Sequence, residues 1–490
     1  MSKLNFNIVK KQISQKKWYS ETAPGVFQYC LGFTNGYVNL YKWLHIRGHT
    51  IEILSIVDRL GVESSVADER EAVFESVRAK GAKDLRRLYN VWKNTVNTLV
   101  SLQNNLKVVG LTDQELHKLY QKVMQLDIEQ WSFSIVSESS ERFSNYELVP
   151  YLKRELKEEL STKELSDMAF YLCLEPRLSF MQLERIGFLE ICRRIIMSDK
   201  PEGIRHLCES HSSKYYWITN NYQRAKVLTA SQILSLAKKH AKDHADQIES
   251  ELSELKCLIK AIEDKRKRHL KKKLCKKTRD LLDLLGLLGT INDERKEINL
   301  RTTDIYYRIF KEIERRKSAD IDDLVYYLPD EIERLLLDNL AVGVRERKDC
   351  LLYAVTKDSE FFISGKKAKE LTDFFGKTGT VNDLRGFVAC NGDLDKFTGR
   401  VSVVRDPLKD RLRPGDVLVS TMTRPDFLPL MRKASAIVTD EGGITCHAAI
   451  ISRELKIPCI VGVQAATKIL TNGSLVELNL HHGLVRVVRS

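Results

Sequence analysis

Proline is scarce in this 490-residue chain, with 10 in all, so few positions forbid a long helix. No apolar run approaches the roughly 20 residues needed to cross a bilayer, so no membrane-spanning helix is expected. The opening Met1-Ser-Lys-Leu-Asn-Phe-Asn has no apolar stretch of the kind a secretory signal needs. The ten cysteines are scattered, no Cys-x-x-Cys pair occurs, and no Cys/His group has zinc spacing. A chain this long has no need of disulfide staples. The cysteines are therefore expected to be reduced thiols of a cytoplasmic protein with no bound metal. Also missing are a P-loop, a glycine-rich nucleotide lid and a run of β/α units long enough for a barrel.

What is there suits a packed protein. Hydrophobic residues make up 43% and charged residues 30%, and 79 Lys and Arg against 66 Asp and Glu give a net charge of +13. That balance argues against global disorder, and the length predicts two to four domains. Composition changes near residue 380. Before it, apolar positions recur every three or four residues; after it, nine of the 24 glycines fall among the last 111 residues, between short Val/Ile-rich runs. The expectation is a multidomain α plus α/β protein. A helical domain would occupy 1–200, a helical connector with a long coiled-coil-like helix 201–375, and a β/β/α domain 380–490.

Helical stripes are readable in several places. One spans Lys83 to Leu102, through Leu85, Leu88, Val91, Trp92, Val96 and Leu99. Another runs from Thr112 to Leu126, with Thr112 and Glu115 at capping-box spacing. A third covers Ser179 to Ile196, with Phe180, Leu183, Ile186 and Leu189 on one face. From Thr229 the pattern predicts one unbroken helix to about Lys277, with a 4-3-4-3 seam of Ile248, Leu252, Leu255, Ile259 and Ile262. A further helix fits Thr303 to Arg316, and Pro329 sits in the first turn of the next. The basic run from Lys265 to Arg279 has the charge to meet nucleic acid or an acidic partner surface. It has no interleaved aromatic platform and reads as a solvated helical tip, so nucleic acid is not an expected partner.

The stretch with chemical content runs from Ala434 to Gly462. It reads as a strand at Ala436–Thr439, a turn at Gly442 and Gly443, and a helix opened by His447. Pro458 then restarts the chain as the strand Cys459–Val461. Ala448, Ala449, Ile450 and Ile451 drive the helix into a core. An imidazole with an ordinary pKa near 6.5 is largely neutral at cytosolic pH, so a ring nitrogen can attack phosphorus. The product phosphoryl group would lie near backbone N–H groups and the positive end of the helix. Taken by itself, a histidine in such a place is more often a buried, hydrogen-bonded core residue.

The longer pattern shifts that balance. Thr439-Asp-Glu-Gly-Gly-Ile-Thr-Cys-His-Ala-Ala-Ile-Ile-Ser-Arg-Glu-Leu resembles the mobile phosphohistidine, or swivelling, domain of the PEP-utilising enzymes. These are phosphoenolpyruvate synthase, pyruvate phosphate dikinase and the rifampicin phosphotransferases. Leu384–Gly392, Gly399–Val404, Arg413–Val419 and Thr467–Gly483 resemble the strands of that domain. Upstream, Ser179–Glu184, His211–Tyr222 (with Trp217, Asn220, Asn221 and Tyr222), Leu324–Ile332 and Arg345–Lys348 resemble its helical connector.

The resemblance implies roles. His447 would be the transient phosphoryl carrier, with Gly442, Gly443 and Cys446 forming the phosphate loop. Thr445 matches a threonine that is a regulatory phosphorylation site in plant-type dikinases. Arg453 matches a family arginine that orients the loop or the phosphate; a surface ion pair is the alternative. Complete family members also have an ATP-grasp domain and a phosphoenolpyruvate/pyruvate barrel, and neither is found here. The chain is thus expected to be a phosphoryl-carrier component that binds no cofactor alone. ATP and magnesium would sit on an ATP-grasp partner in trans, and a phosphoenolpyruvate/pyruvate-domain protein or a small molecule would be the acceptor. Gly376 to Gly379 would be the hinge. Two other readings are a non-catalytic regulatory or scaffold protein that keeps the fold and, from residues 265–279 alone, a basic RNA-binding helical protein.

Overall fold

A computed structural model describes residues 18–21, 53–56, 59–63 and 65–489. Excepted are 141–142, 157–159, 199, 221–224, 226, 273, 356–359, 373–382, 406, 408–409, 424–426, 441, 443–445, 464–465 and 481–482. The chain packs as two compact units, each assembled from three segments.

The first unit comprises Met1–Ser139, Glu175–Lys267 and Gly286–Lys377. Helices dominate it, and their starts follow local rules. Thr112 Oγ1 accepts from the Glu115 amide at 3.2 Å while the Glu115 carboxylate accepts from the Thr112 amide at 2.7 Å. The same reciprocal box opens the helix Phe180–Ile196 at Ser179 and Gln182, and the helix Ala230–Asp243 at Thr229 and Gln232. Each box is worth about 1 kcal/mol by satisfying amides the helix leaves open. Between these helices lie Leu189, Ile191, Cys192, Cys208, Ile233, Ala237, Ile248 and Leu252, all buried. Arg185 grips Glu251 with two 2.8 Å bonds and reaches His240 Nε2 at 3.2 Å. Burial and the Arg185 charge push the His240 pKa down to about 4, so the ring stays neutral and accepts from the guanidinium.

Several expectations need correction. The chain before residue 380 is not wholly helical. β1 (Trp18–Glu21), β2 (Ile53–Ile56), β3 (Arg59–Glu63), β4 (Leu351–Val355) and β5 (Glu360–Ser364) form an antiparallel sheet in the order β1-β3-β2-β4-β5. Runs of four or five residues give too little alternation to be told from helix, and β2 pairs with a strand some 300 positions away. The expected unbroken helix from Thr229 to Lys277 is three pieces. It breaks at His244, whose φ of −140° and ψ of 30° leave helical space, and again after Leu270. The second break turns the chain so that Leu274 is buried. The longest helix of the second half is instead Lys276–Arg316, 41 residues, and it absorbs the segment expected at Thr303 to Arg316. Within the first stripe, Leu85, Trp92, Val96 and Leu99 are buried, but Val91 is 53% exposed because it lies one residue, about 100°, off their line. Leu183 is likewise exposed beside buried Phe180 and Leu189. Pro329 opens the helix Pro329–Asp338 as expected.

The second unit comprises Ser140–Leu174, Arg268–Leu285 and Thr378–Ser490. Its centre is an eight-stranded sheet in the order β6-β13-β12-β8-β9-β10-β11-β7. The strands are β6 (Asp383–Arg385), β7 (Phe387–Cys390), β8 (Lys396–Val403), β9 (Val417–Ser420), β10 (Ala436–Thr439), β11 (Cys459–Val461), β12 (Leu475–Asn479) and β13 (Leu484–Arg489). Pairings from β8 through β9 and β10 to β11 are parallel; the flanking ones are antiparallel. β9, β10 and β11 are buried at every position, as strands covered on both faces must be. Alternate residues feed two cores. Val417, Val419, Ala436 and Val438 face one side with Val401, Ile460 and Val476. Leu418 and Ile437 face the other, with Cys459, Val461, Ala448 and Ala449. The helices Leu148–Glu155 and Thr162–Leu172 belong to the same unit. The large helical region followed by a strand-containing C-terminal domain agrees with the expected fold class. The hinge expected at Gly376–Gly379 lies outside the described residues.

Candidate functional site

The site is built where β10 ends. Ile437 and Val438 pair in parallel with β11, and Ala436 to Thr439 pair with β9, so the strand is fixed on both edges. Asp440 follows, buried, and ties the exit down. Its amide donates to the Ser420 carbonyl at 3.0 Å, and its carboxylate accepts from the Thr467 amide at 3.0 Å and from the Thr467 hydroxyl. The Val463 amide donates to the Thr439 carbonyl at 2.9 Å, bringing the end of β11 against the same corner. A carboxylate bonded to a distant threonine at the end of a buried strand sets where the next turn starts. Sequence reasoning assigned Asp440 no role. Its one signal was a place inside the motif, since its partner is 27 residues away.

The turn passes through Gly442 with φ +112°, a conformation side chains rarely adopt. A carbon added there would meet Cys446 Sγ at 2.7 Å, so the missing side chain is required twice. Cys446 caps the helix His447–Leu455 in extended geometry (φ −72°, ψ 165°), and its thiol makes no cap hydrogen bond. Its carbonyl accepts the first helical bond, from Ile450 at 3.0 Å. The helix is seated by Ala448 and Ala449, buried against β7, β10 and β11, and by Ser452, whose hydroxyl donates to the Ala449 carbonyl at 3.1 Å. It ends at Lys456 in the left-handed conformation. His447 is thus the first residue of a helix held by small side chains, immediately after a turn. Of the other expected site residues, Gly443 and Thr445 lie outside the described residues.

Arg453 stands on the same helix. Its guanidinium carbon lies 4.3 Å from the centre of the Phe170 ring, on the helix Thr162–Leu172. Burial pulls its pKa below the ordinary arginine value, while the Asp167 carboxylate, the largest opposing charge, favours the cation. Cys459, behind the helix, is fully buried, and that burial pushes its thiol well above the usual range. Cys390 lies opposite it on β7. The nine described cysteines are free thiols. Among the described residues, no group of three or more His, Cys, Asp or Glu side chains is arranged to hold a metal ion, and no helix is long and apolar enough to cross a membrane.

The connector residues singled out in the sequence are structural where described. Trp217 is fully buried, its indole donates to the Lys214 carbonyl, and Arg301 stacks on it at 4.1 Å. Asn220 donates to the Leu300 carbonyl at 3.1 Å. Asn221 and Tyr222 lie outside the described residues.

Comparison with known proteins converges on the same segment. Residues 412–483 match the family described as PEP-utilising enzyme, mobile domain. A probable phosphoenolpyruvate synthase of Methanothermobacter thermautotrophicus is 51% identical over 161 residues, 33% of this chain and 21% of that protein. One of Archaeoglobus fulgidus is 49% identical over 182 residues, 36% of this chain and 22% of that protein. The phosphoenolpyruvate synthase of Pyrococcus furiosus is 56% identical over 88 residues, 18% of this chain and 11% of that protein. The matched part thus spans about a fifth or less of the length of these relatives. The two longer matches exceed the 111 residues from 380 to the end, so they take in part of the helical region. The segment that carries Gly442, Cys446, His447 and Arg453 belongs to the PEP-utilising enzyme family, as its mobile domain.

Proposed function

We propose that this chain is the phosphoryl-carrier component of a phosphoenolpyruvate synthase-like phosphotransferase. His447 accepts a phosphoryl group from an ATP-binding partner of the ATP-grasp class and hands it to an acceptor. The observation that carries this reading is the position of His447: first residue of a helix, directly after a glycine turn, inside the family match. In the first step a neutral ring nitrogen attacks a phosphorus of the nucleotide. The N–P bond forms as the P–O bond to the departing nucleotide breaks, and the electron pair leaves on that oxygen. In the second an acceptor oxygen attacks the same phosphorus and the N–P electron pair returns to the imidazole.

This chain's own contribution is placement. Asp440 and Thr467 fix the strand exit, Gly442 allows the turn, and the helix start presents amides and the positive dipole end to the phosphoryl oxygens. Stabilising charge on the nucleotide requires metal and cations, expected on the partner with ATP and magnesium. The curated relatives are several times longer than the matched segment, so the steps performed by their remaining parts fall to modules outside the mobile domain. A phosphoenolpyruvate/pyruvate-domain protein or a small molecule is the expected acceptor, and the cytoplasm the expected compartment. Thr445 is the residue whose modification would block the neighbouring histidine.

Labelling tests the proposal. With radiolabelled ATP, magnesium and an ATP-grasp partner, the chain should acquire acid-labile, base-stable phosphate. His447→Ala should abolish it. Absence of label with every candidate partner would leave a scaffold protein that keeps the fold.

A further inference from the structure

The helix that begins at His447 is held at its far end by a contact that the family reading does not require. Arg453 lies over the face of Phe170 at 4.3 Å, and Phe170 is only 4% exposed. Phe170 and Asp167 share the helix Thr162–Leu172, which starts from a complete capping box at Ser161 and Glu164. Tyr171, on the same helix, stacks on His269 with the planes 13° apart and the ring centres 6.2 Å apart. The helix is therefore anchored at its start by the cap and near its end by a stacked pair. It offers an aromatic face and a carboxylate to a cation on another element.

We infer that Asp167 and Phe170 form a docking seat for the histidine helix, with Arg453 as the latch. Arginine suits this role. Its guanidinium is flat, always charged and weakly hydrated, so it can lie on a ring and leave water at small cost. Burial of that cation is tolerable only beside the ring and the Asp167 carboxylate, which ties the position of the helix to the seat. Latch and carrier share one nine-residue helix, so the seat holds the element that bears His447. Exchange with a partner's active site requires the latch to open, and the seated form is the resting one. The contact is read from the structure alone; its consequence for transfer rests on the carrier reading of His447.

Hydrogen exchange on the full chain tests the seat. Phe170→Leu keeps an apolar residue but removes the ring face; Arg453→Gln removes the charge. Each should speed amide exchange roughly tenfold in both helices, Thr162–Leu172 and His447–Leu455, the size expected for a desolvated cation–π pair. The double variant should exchange no faster than the faster single one, and β9 and β10 should stay at the wild-type rate. If each change speeds only its own helix, or the two effects multiply, or Phe170→Leu loosens β9 and β10 as well, the latch is wrong. Phosphoryl labelling separates the two ideas. Labelling of Phe170→Leu should be faster than wild type, and an unchanged or slower rate would overturn the resting role. Absence of label in every variant, wild type included, would refute the carrier reading and leave the exchange result to judge the seat.

Discussion

Gly442 lies against Cys446 so closely that a side-chain carbon on the glycine would come within 2.7 Å of the cysteine sulfur and 3.0 Å of its Cβ. The pair fixes how the turn enters the histidine helix. Gly442→Ala faces two separate penalties, the φ of +112° and the collision with the thiol. Together they should cost about 1–3 kcal/mol of tail stability. Adding Cys446→Ala should recover only the part due to collision. Urea unfolding of the three variants measures both parts, and full recovery in the double variant would mean that backbone strain contributes nothing.

In the helical unit, Glu331 and Arg347 meet through two bonds of 2.6 and 2.7 Å, with side chains 7% and 10% exposed. Burial works against the carboxylate. The Arg347 charge and the Leu328 amide at 2.9 Å outweigh it and hold the Glu331 pKa below the usual value. The folded pKa is depressed, so this pair's stabilisation is present above the unfolded carboxylate pKa and lost as pH falls through the folded one. Arg347→Met would leave the carboxylate buried without its partner and should cost about 3–5 kcal/mol at neutral pH. The cost should shrink in acid, where Glu331 can take a proton. Denaturant unfolding at pH 7 and pH 4 tests this, and an equal loss at both would contradict it.

Asp127 is buried between Gln130 and Tyr306, with Gln130 Nε2 3.1 Å and the tyrosine hydroxyl 3.4 Å from its oxygens. Burial pushes its pKa up to about 7, against the two hydrogen bonds. Here the sign reverses. Between the model carboxylate pKa of 3.8 and about 7 the folded state holds the proton that the unfolded chain has lost. Stability contributed by this residue therefore declines as pH rises through that window and levels off above it. Asp127→Asn should remove the dependence, and the variant should exceed wild type by about 1–3 kcal/mol at pH 8 with little difference at pH 5. A constant difference across that range would mean that Asp127 is ionised throughout.

The tail was legible because its punctuation is local. Thr439, His447 and Cys459 mark element ends in the sequence, through a buried Val/Ile run, a glycine turn and Pro458, and β10, the histidine helix and β11 have those bounds. The contacts that fix the corner were not legible, because they join distant residues: Asp440 to Thr467, and Arg453 to Phe170. The break at His244 has neither glycine nor proline to announce it, and the seam of Ile248 and Leu252 keeps its spacing on the far side. The first sheet escaped for a third reason. Its strands are short, and β2 finds β4 only once the intervening helices have formed.

The pairing of β6 with β13 puts the beginning and the end of the tail side by side. Gly386 donates to the Gly483 carbonyl at 2.8 Å, and a carbon on Gly483 would fall 2.0 Å from the Gly386 oxygen, so that junction tolerates no bulk. A sheet whose two ends adjoin behaves as a cassette. Evolution can splice it into a loop of another host, or an engineer can bridge its ends and reopen it elsewhere, without unthreading any strand.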